Sequence, residues 1–403
     1  MKKSKLISAF GKVPAILGLI ALLVAGFALF GAGGSACAKG EKALSEYSSR
    51  AAYLIDYDSG EVLFERNADG RYPIASMVKI MTLSLVFDEI DKGNLTLDKE
   101  ITVSDEAAGM GGSQMFLDAG SVYKIGDLVL GVTVASANDA SVALAEEIAG
   151  SKEAFIEMMN EKAVELGMEN TKFVNVTGLP GEGQYSTARD VTKMLSYLIK
   201  HPVYFNYSKI YIENFTHPGG RVSELVNTNK LVRFYDGCDG GKTGFTSDAM
   251  YCLSATAKRQ DMRVIATVLG AESSAVRNKE VSALFNYAFA NYNSVSYMKK
   301  GEAVLIDADV KGAKNDSISV SAARDLKVLE KRGDKGEYTV EYDIFKDLKA
   351  PLKAGDKVGV VRLVSSVTKD VKCEADLILT EDVEKMSLSD SLQRIIRNWF
   401  MGI

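Results

Sequence analysis

The sequence predicts an α/β protein: an antiparallel sheet flanked by helices, followed by a small all-β domain and a C-terminal amphipathic helix. Two strand-like runs stand before a long helical stretch and three stand after it, with one more helix to close, so one sheet can be covered on both faces. Beyond about Ser296, short apolar runs alternate with Gly, Asp, Asn and Lys, the pattern of short strands joined by turns. The final segment returns to helical spacing.

Taken in order, the chain opens with Lys2, Lys3, Lys5 and Lys12 ahead of an apolar run from Ala15 to Phe30 and the small residues Ala36-Cys37-Ala38. This is the form of an export signal cleaved after Ala38, and residues 1–38 are assigned to it. The run is close to membrane-spanning length, and an uncleaved anchor is the alternative. Either places the remainder outside the cytoplasm. Gly34-Ser35-Ala36-Cys37 lacks the Leu that a lipoprotein cleavage box carries three residues before its Cys.

Alternation in Ala51 to Asp56 and Val62 to Glu65, joined through Asp58-Ser59-Gly60, predicts a hairpin. Pro73 leads into a helix expected from Ser76 to about Asp91, whose apolar residues Val78, Ile80, Met81, Leu83, Leu85, Val86 and Ile90 cover nearly its whole circumference. Gly93 offers the stop. A helix apolar all round is buried, which puts Ser76 at the floor of a cleft and Lys79 one turn on, on the same face. Helices with Gly-, Asn- and Ser-rich loops are expected to about Ile199. Strands follow at Cys238 to Phe245, Met250 to Ala257 and Arg263 to Leu269, then a helix from about Ser273 to Tyr292. The β domain, residues 296–382, is read from runs such as Ala303 to Ile306, Ile318 to Ser321, Tyr338 to Tyr342, Val358 to Leu363 and Leu377 to Leu379. Within residues 386–403, Leu388, Leu392, Ile395, Ile396, Trp399 and Phe400 oppose Gln393, Arg394, Arg397 and Asn398. That is the form of a helix lying on a membrane surface, with a cap on a protein surface or dimer contact as the alternative.

Loss of the signal removes four lysines and no acidic residue, taking the formal charge from −5 to −9. An acidic body argues against a nucleic-acid partner. About 365 residues remain, enough for two domains. Cys238, Cys252 and Cys373 form an odd, sparse set, read as unpaired core thiols, with a Cys238–Cys252 bridge across the hairpin as the alternative. His201 and His217 are the only histidines, and no histidine pair or Cys-x-x-Cys has metal-ligand spacing. Neither metal nor cofactor is expected. A Ser-His-Asp triad is poorly supplied as well, so base chemistry falls to lysine.

Three short strings supply that chemistry: Ser76-Met77-Val78-Lys79, Ser136-Ala137-Asn138 and Lys242-Thr243-Gly244. A serine hydroxyl is a weak nucleophile until a base takes its proton, and a neutral lysine serves when burial or nearby cations depress its pKa. The N–H of Ser76 near a helix start can donate to a developing oxyanion. Lys242 and Thr243 on a strand can hold an anionic group while Gly244 lets a substrate backbone lie close. Ser-x-x-Lys alone occurs four times, at Ser76, Ser121, Ser296 and Ser366, and Ser136 and Asn138 alone read as a helix cap. Ser76 and Ser121 both precede the other two strings, but only Ser76 opens the buried apolar helix, and the conjunction carries the argument.

The segment Pro73-Ile74-Ala75-Ser76-Met77-Val78-Lys79-Ile80-Met81-Thr82 resembles the nucleophile segment of the low-molecular-mass penicillin-binding proteins, the D-alanyl-D-alanine carboxypeptidases of serine peptidase family S11. Gly112-Ser113-Gln114-Met115-Phe116, Asn138-Asp139-Ala140, Tyr185-Ser186-Thr187-Ala188 and Asp239-Gly240-Gly241-Lys242-Thr243-Gly244-Phe245-Thr246 extend the likeness, which covers roughly residues 45 to 403. The resemblance implies a β-lactamase/transpeptidase-like sandwich over residues 45–293. It implies removal of the terminal D-alanine from peptidoglycan stem peptides, with β-lactam antibiotics as acylating inhibitors. Ser76 would be the nucleophile, Lys79 its base and Ser136 the relay to the departing D-alanine, with Lys242 tuning that relay. Asn138 would hold the peptide and Thr243 the terminal carboxylate, while the N–H groups of Ser76 and Phe245 hold the oxyanion. Gly244 belongs to the same strand, and Arg277 falls at the spacing of an arginine that supports carboxylate recognition. Ala137 replaces the usual Gly, Thr177 stands where His is frequent, and Thr228 where some relatives carry Arg. A β-lactamase and a catalytically silent peptidoglycan-binding protein are the competing readings.

Overall fold

The structure, a computed structural model, describes residues 47–401; the expected signal segment lies outside the described residues. Strands β1 (Ala51–Asp56), β2 (Val62–Arg66), β3 (Cys238–Thr246), β4 (Met250–Arg259) and β5 (Met262–Ala271) form one sheet in the order β2-β1-β5-β4-β3, antiparallel throughout. Side chains alternate across a strand, so a sheet covered on both faces feeds two cores. Ala51, Tyr53 and Ile55 of β1 join one core, and Ala52 and Leu54 join the other.

The first core is closed by helices α1 (Lys79–Asp91), α2 (Asn138–Ala149) and α3 (Ala188–Leu198). Every residue of α1 from Lys79 to Asp88 is buried, as its unbroken apolar circumference requires. The second core lies under α4 (Ser274–Asn291), which presents Val281, Leu284, Phe285 and Ala288 to β4 and β5. Ser273 starts α4 by accepting a hydrogen bond from the Val276 N–H at 3.2 Å, and Thr187 starts α3 likewise from Asp190 at 3.1 Å.

The helical reading to about Ile199 passes over one short hairpin, and the stretch from there to Cys238, for which no element is predicted, holds another. Glu100–Thr102 pairs with Val122–Lys124, and Ile212–Thr216 pairs with Val222–Val226 around Pro218-Gly219-Gly220. The second hairpin is largely exposed, so its sequence lacks the apolar alternation that betrays a half-buried strand.

Residues 292–379 build a module with its own core of Val320, Val361, Leu363 and Leu377. Its five-stranded sheet runs Val304–Asp307, Ser317–Ala322, Val371–Leu379, Lys357–Ser365, Tyr338–Ile344, and a ribbon of Tyr292–Met298 with Leu326–Lys331 joins it to α4. The Lys327 amine ties the module to the first domain, lying 3.3 Å from Asp58 and 3.2 Å from Asp325. Helix α5 (Leu388–Met401) then leaves Leu388 92% and Trp399 84% exposed, with Leu392, Ile395, Ile396 and Phe400 also open. No described helix is long and apolar enough to cross a membrane.

All three described cysteines are free thiols. Register is the reason that a Cys238–Cys252 bridge fails: Cys238 pairs with Ala257 and Cys252 with Gly244. The two thus sit roughly 20 Å apart along the ladder, whereas a disulfide needs Cα atoms within about 7 Å.

Candidate active site

The turn carrying Ser76 is squeezed into shape by two glycines. Ala75–Val78 is a 3₁₀ turn that runs into α1, and Ala75 adopts φ +47°, uncommon for a residue with a Cβ. Gly178, itself at φ +82°, lies so close that a Cβ there would overlap the Ala75 carbonyl and stand 2.7 Å from the Ser76 nitrogen. Across the cleft, a Cβ on Gly244 would overlap the Ile74 carbonyl and stand 3.2 Å from the Ala75 Cβ. Ser76 is held between these backbones and stays half-buried.

The Lys79 amine lies 3.1 Å from the Ser76 hydroxyl and donates to the Thr177 carbonyl at 2.5 Å. The side chain is fully buried. Burial, aided by the Lys242 charge, holds this amine well below the ordinary lysine range, and the Asp139 carboxylate works in the opposite sense. A neutral amine within hydrogen-bond reach of a hydroxyl is a base aimed at a nucleophile.

Ser136 was expected in a loop with Asn138 before a helix. In the structure a π-helical turn, Gly131–Ala135, ends with Ser136 at φ +62°, and Asn138 is already the first residue of α2. Ser136 makes no capping bond. Its hydroxyl is buried and has no hydrogen-bond partner among the described residues; the same holds for the Asn138 carbonyl oxygen. The Asn138 amide nitrogen donates to the Gly111 carbonyl at 2.6 Å. Buried polar atoms without partners are uncommon in folded chains, and here two of them fall in one three-residue string.

Strand β3 is an edge of the sheet and packs against the Ala75–Val78 turn. Gly241 at φ +126° puts Lys242 in register with Ser254, where the amine donates to the Thr243 carbonyl at 3.1 Å. Burial first, then the Arg277 charge, bring the Lys242 amine down to about 7. The Thr243 hydroxyl donates to Thr228 at 2.8 Å, and the Thr228 N–H donates to the Val134 carbonyl at 3.2 Å. Those two bonds tie β3 to the turn ahead of Ser136. Phe245 is 56% exposed, its ring centred 4.4 Å from that of Tyr251. Arg277, in the first turn of α4, is buried and lowered to about 10 by that burial, and its guanidinium bonds Asn278 at 3.1 Å.

The three strings thus meet at one cleft. Several residues that hold it together escaped sequence reasoning. Asp139 accepts from the Ala140 N–H at 2.9 Å, from Met115 at 3.2 Å and from Leu117 at 3.0 Å, fixing the loop ahead of the cleft. Gly178 and the Thr177 carbonyl were invisible because their role lies in backbone proximity. Thr177, a departure from the resembled family's frequent His, supplies that carbonyl and turns its own hydroxyl to Asn175 at 3.4 Å.

A serine on a helical turn, paired with a buried lysine beside the free edge of an antiparallel sheet, defines the class of serine acyl-transfer enzymes that work without histidine. The chain belongs to the D-alanyl-D-alanine carboxypeptidase family, whose model matches residues 38–273; a second model, for the penicillin-binding protein 5 C-terminal domain, matches residues 292–385. It is 37% identical to D-alanyl-D-alanine carboxypeptidase DacF of Bacillus subtilis over 94% of this chain and 98% of that protein. Among solved structures it resembles penicillin binding protein 5 from Haemophilus influenzae, with TM-score 0.66, 30% identity, and 84% and 98% of the two chains covered. The carboxypeptidase DacD from Francisella tularensis is similar, with TM-score 0.61, 32% identity and coverage of 85% and 95%.

Proposed function

We propose that this chain is a serine-type D-alanyl-D-alanine carboxypeptidase of the cell envelope, removing the terminal D-alanine from peptidoglycan stem peptides through an acyl-enzyme on Ser76. The observation that carries the reading is the Ser76–Lys79 pair, a hydroxyl 3.1 Å from an amine whose pKa burial holds well below the ordinary lysine range.

The Ser76 oxygen attacks the carbonyl of the penultimate D-alanine while Lys79 takes its proton. The oxyanion that forms lies against the N–H groups of Ser76 and Phe245. As it collapses, the C–N bond breaks and Lys79 passes the proton it took from Ser76 through the Ser136 hydroxyl to the leaving amine, with Lys242 setting the local field. D-Alanine departs and an ester remains. Water then attacks that ester, gives a proton to Lys79, and the Ser76 oxygen leaves with a proton returned. Throughout, Asn138 holds the peptide, and Thr243, beside Gly244, receives the terminal carboxylate. The charges of Lys242 and Arg277 favour that anion. A β-lactam, acylating the same serine, expels no small leaving group, and its ester persists.

Export is supported by the lysine-led apolar segment before residue 38, and membrane attachment by the open apolar face of α5. The outer face of the cytoplasmic membrane is the place that both features fit. Intact mass after penicillin exposure, with the modified peptide mapped, tests the chemistry: a stable adduct on Ser76, lost together with D-alanine release in Ser76→Ala, is expected. Normal labelling of Ser76→Ala assigns the nucleophile elsewhere, and rapid hydrolysis of penicillin makes the chain a β-lactamase.

A further inference from the structure

The loop from Gly111 to Leu117 forms the rim of the cleft beside Asn138. The Asn138 backbone N–H donates to the Ser113 carbonyl at 2.7 Å, its side chain donates to Gly111, and a Cβ on Gly112 would stand 2.7 Å from that same amide nitrogen. Further along, Met115 and Leu117 turn inward and are buried, each with its N–H bound to the Asp139 carboxylate. Met115 packs against Gly131 at the start of the turn that ends in Ser136. Phe116, between them, turns outward and is 59% exposed at φ +65°.

An open phenyl ring on a left-handed backbone gives the fold little burial and carries a conformational cost, so something else must hold it. The hold is specific. Arg221, from the distant Ile212–Val226 hairpin, donates to the Phe116 carbonyl at 2.5 Å and to the Asp118 carboxylate at 2.9 Å. Its second nitrogen lies 3.3 Å from His217, which in turn meets Tyr123 at 3.1 Å and Ser223 at 2.9 Å. The Met115 and Leu117 N–H groups and the Phe116 carbonyl, which flank the ring, are thus each bound to a charged side chain.

We infer that Phe116 is a specificity-determining residue whose ring packs on the side chain of the residue preceding D-Ala-D-Ala, and that Arg221 is the positioning residue that sets it there. This rests on the carboxypeptidase reading, in which Asn138 holds the acyl-donor strand of the peptide; a ring on the rim next to Asn138 then meets the next residue back. A long, mostly aliphatic side chain fits such a ring, and a glycine leaves it uncovered.

The test compares diacetyl-lysyl-D-Ala-D-Ala with acetyl-glycyl-D-Ala-D-Ala, which differ at that residue, on the full mature chain. Phe116→Asn removes the ring and keeps a residue that tolerates the left-handed backbone. The ratio of kcat/KM for the lysyl over the glycyl peptide should fall about tenfold, mostly through KM of the lysyl peptide. Arg221→Ala should lower the same ratio, Arg221→Lys should restore part of it, and the double variant should be no less selective than Phe116→Asn alone. An unchanged ratio in Phe116→Asn, or losses that multiply in the double variant, overturns the inference while leaving the carboxypeptidase intact. Failure of the wild-type chain to cleave either peptide overturns the parent reading, and this one with it.

Discussion

Gly178→Ala tests whether the nucleophile's position is set by backbone crowding. The substitution acts in two separable ways. At φ +82° a residue with a Cβ costs about 1 kcal/mol against the left-handed penalty, which lowers the melting temperature by roughly 2–4 °C in a domain of this size. The new Cβ also overlaps the Ala75 carbonyl and stands 2.7 Å from the Ser76 nitrogen, inside the 3.0 Å that real Cβ atoms respect. The Ala75–Ser76 peptide must therefore retreat, by about 1 Å at the carbonyl, a displacement that costs on the order of 100-fold in rate. That is about 2.7 kcal/mol of transition-state stabilisation. The assay is the second-order rate of acylation by a fluorescent penicillin, read beside a thermal melt. Gly150→Ala is the control: it has φ +77° with nothing within 4 Å, so it carries the backbone cost without the collision. Acylation of Gly178→Ala within threefold of wild type, or an equal loss in Gly150→Ala, refutes the reasoning.

Three further outcomes are expected. The Lys242 amine sits at about 7 in the folded chain against an ordinary 10.5, so between those values the unfolded chain binds the extra proton and stability climbs as pH rises, by up to about 1.4 kcal/mol per unit. Lys242→Met should flatten that climb between pH 7 and 8.5 in denaturant melts; an identical slope in the variant rules it out. In unreduced, denatured mature protein all three thiols should titrate. In the native state Cys373 should react first, because burial pushes Cys238 up to about 12 and Cys252 up to about 11. Deleting 387–403 from signal-processed protein should abolish co-sedimentation with anionic vesicles and leave D-alanine release intact; persistent sedimentation assigns the membrane contact to another surface.

What the sequence made legible was whatever depends on periodicity or on strings of rare residue types. The β1–β2 hairpin, the three strands β3 to β5 and the largely buried α1 follow from alternation and apolar circumference, and the Ser76–Lys79 pair follows from helical spacing. Illegible were contacts made across the fold by residues with nothing to advertise. Gly178 acts through the absence of a side chain, and the Thr177 carbonyl is a backbone atom whose partner lies 98 positions away. The Ile212–Val226 hairpin is too exposed to alternate, so Arg221 looked like any surface arginine until its guanidinium met the Phe116 carbonyl. Ser136 alone reads as a helix cap and is assigned to the site only through its conjunction with the other two strings; in the structure it takes a left-handed backbone and its hydroxyl has no partner among the described residues.

Strand β3 ends its sheet with an open row of amides and carbonyls, normally an invitation to any stray strand. Here the approach is throttled, because the Ile74–Ser76 backbone crowds Gly244 from the other side. A strand already embedded in a folded neighbour brings flanking strands with it and needs more room than a single chain. A loose chain end has no such encumbrance. Under the proposed function, that crowding favours dangling peptide tails over folded surfaces.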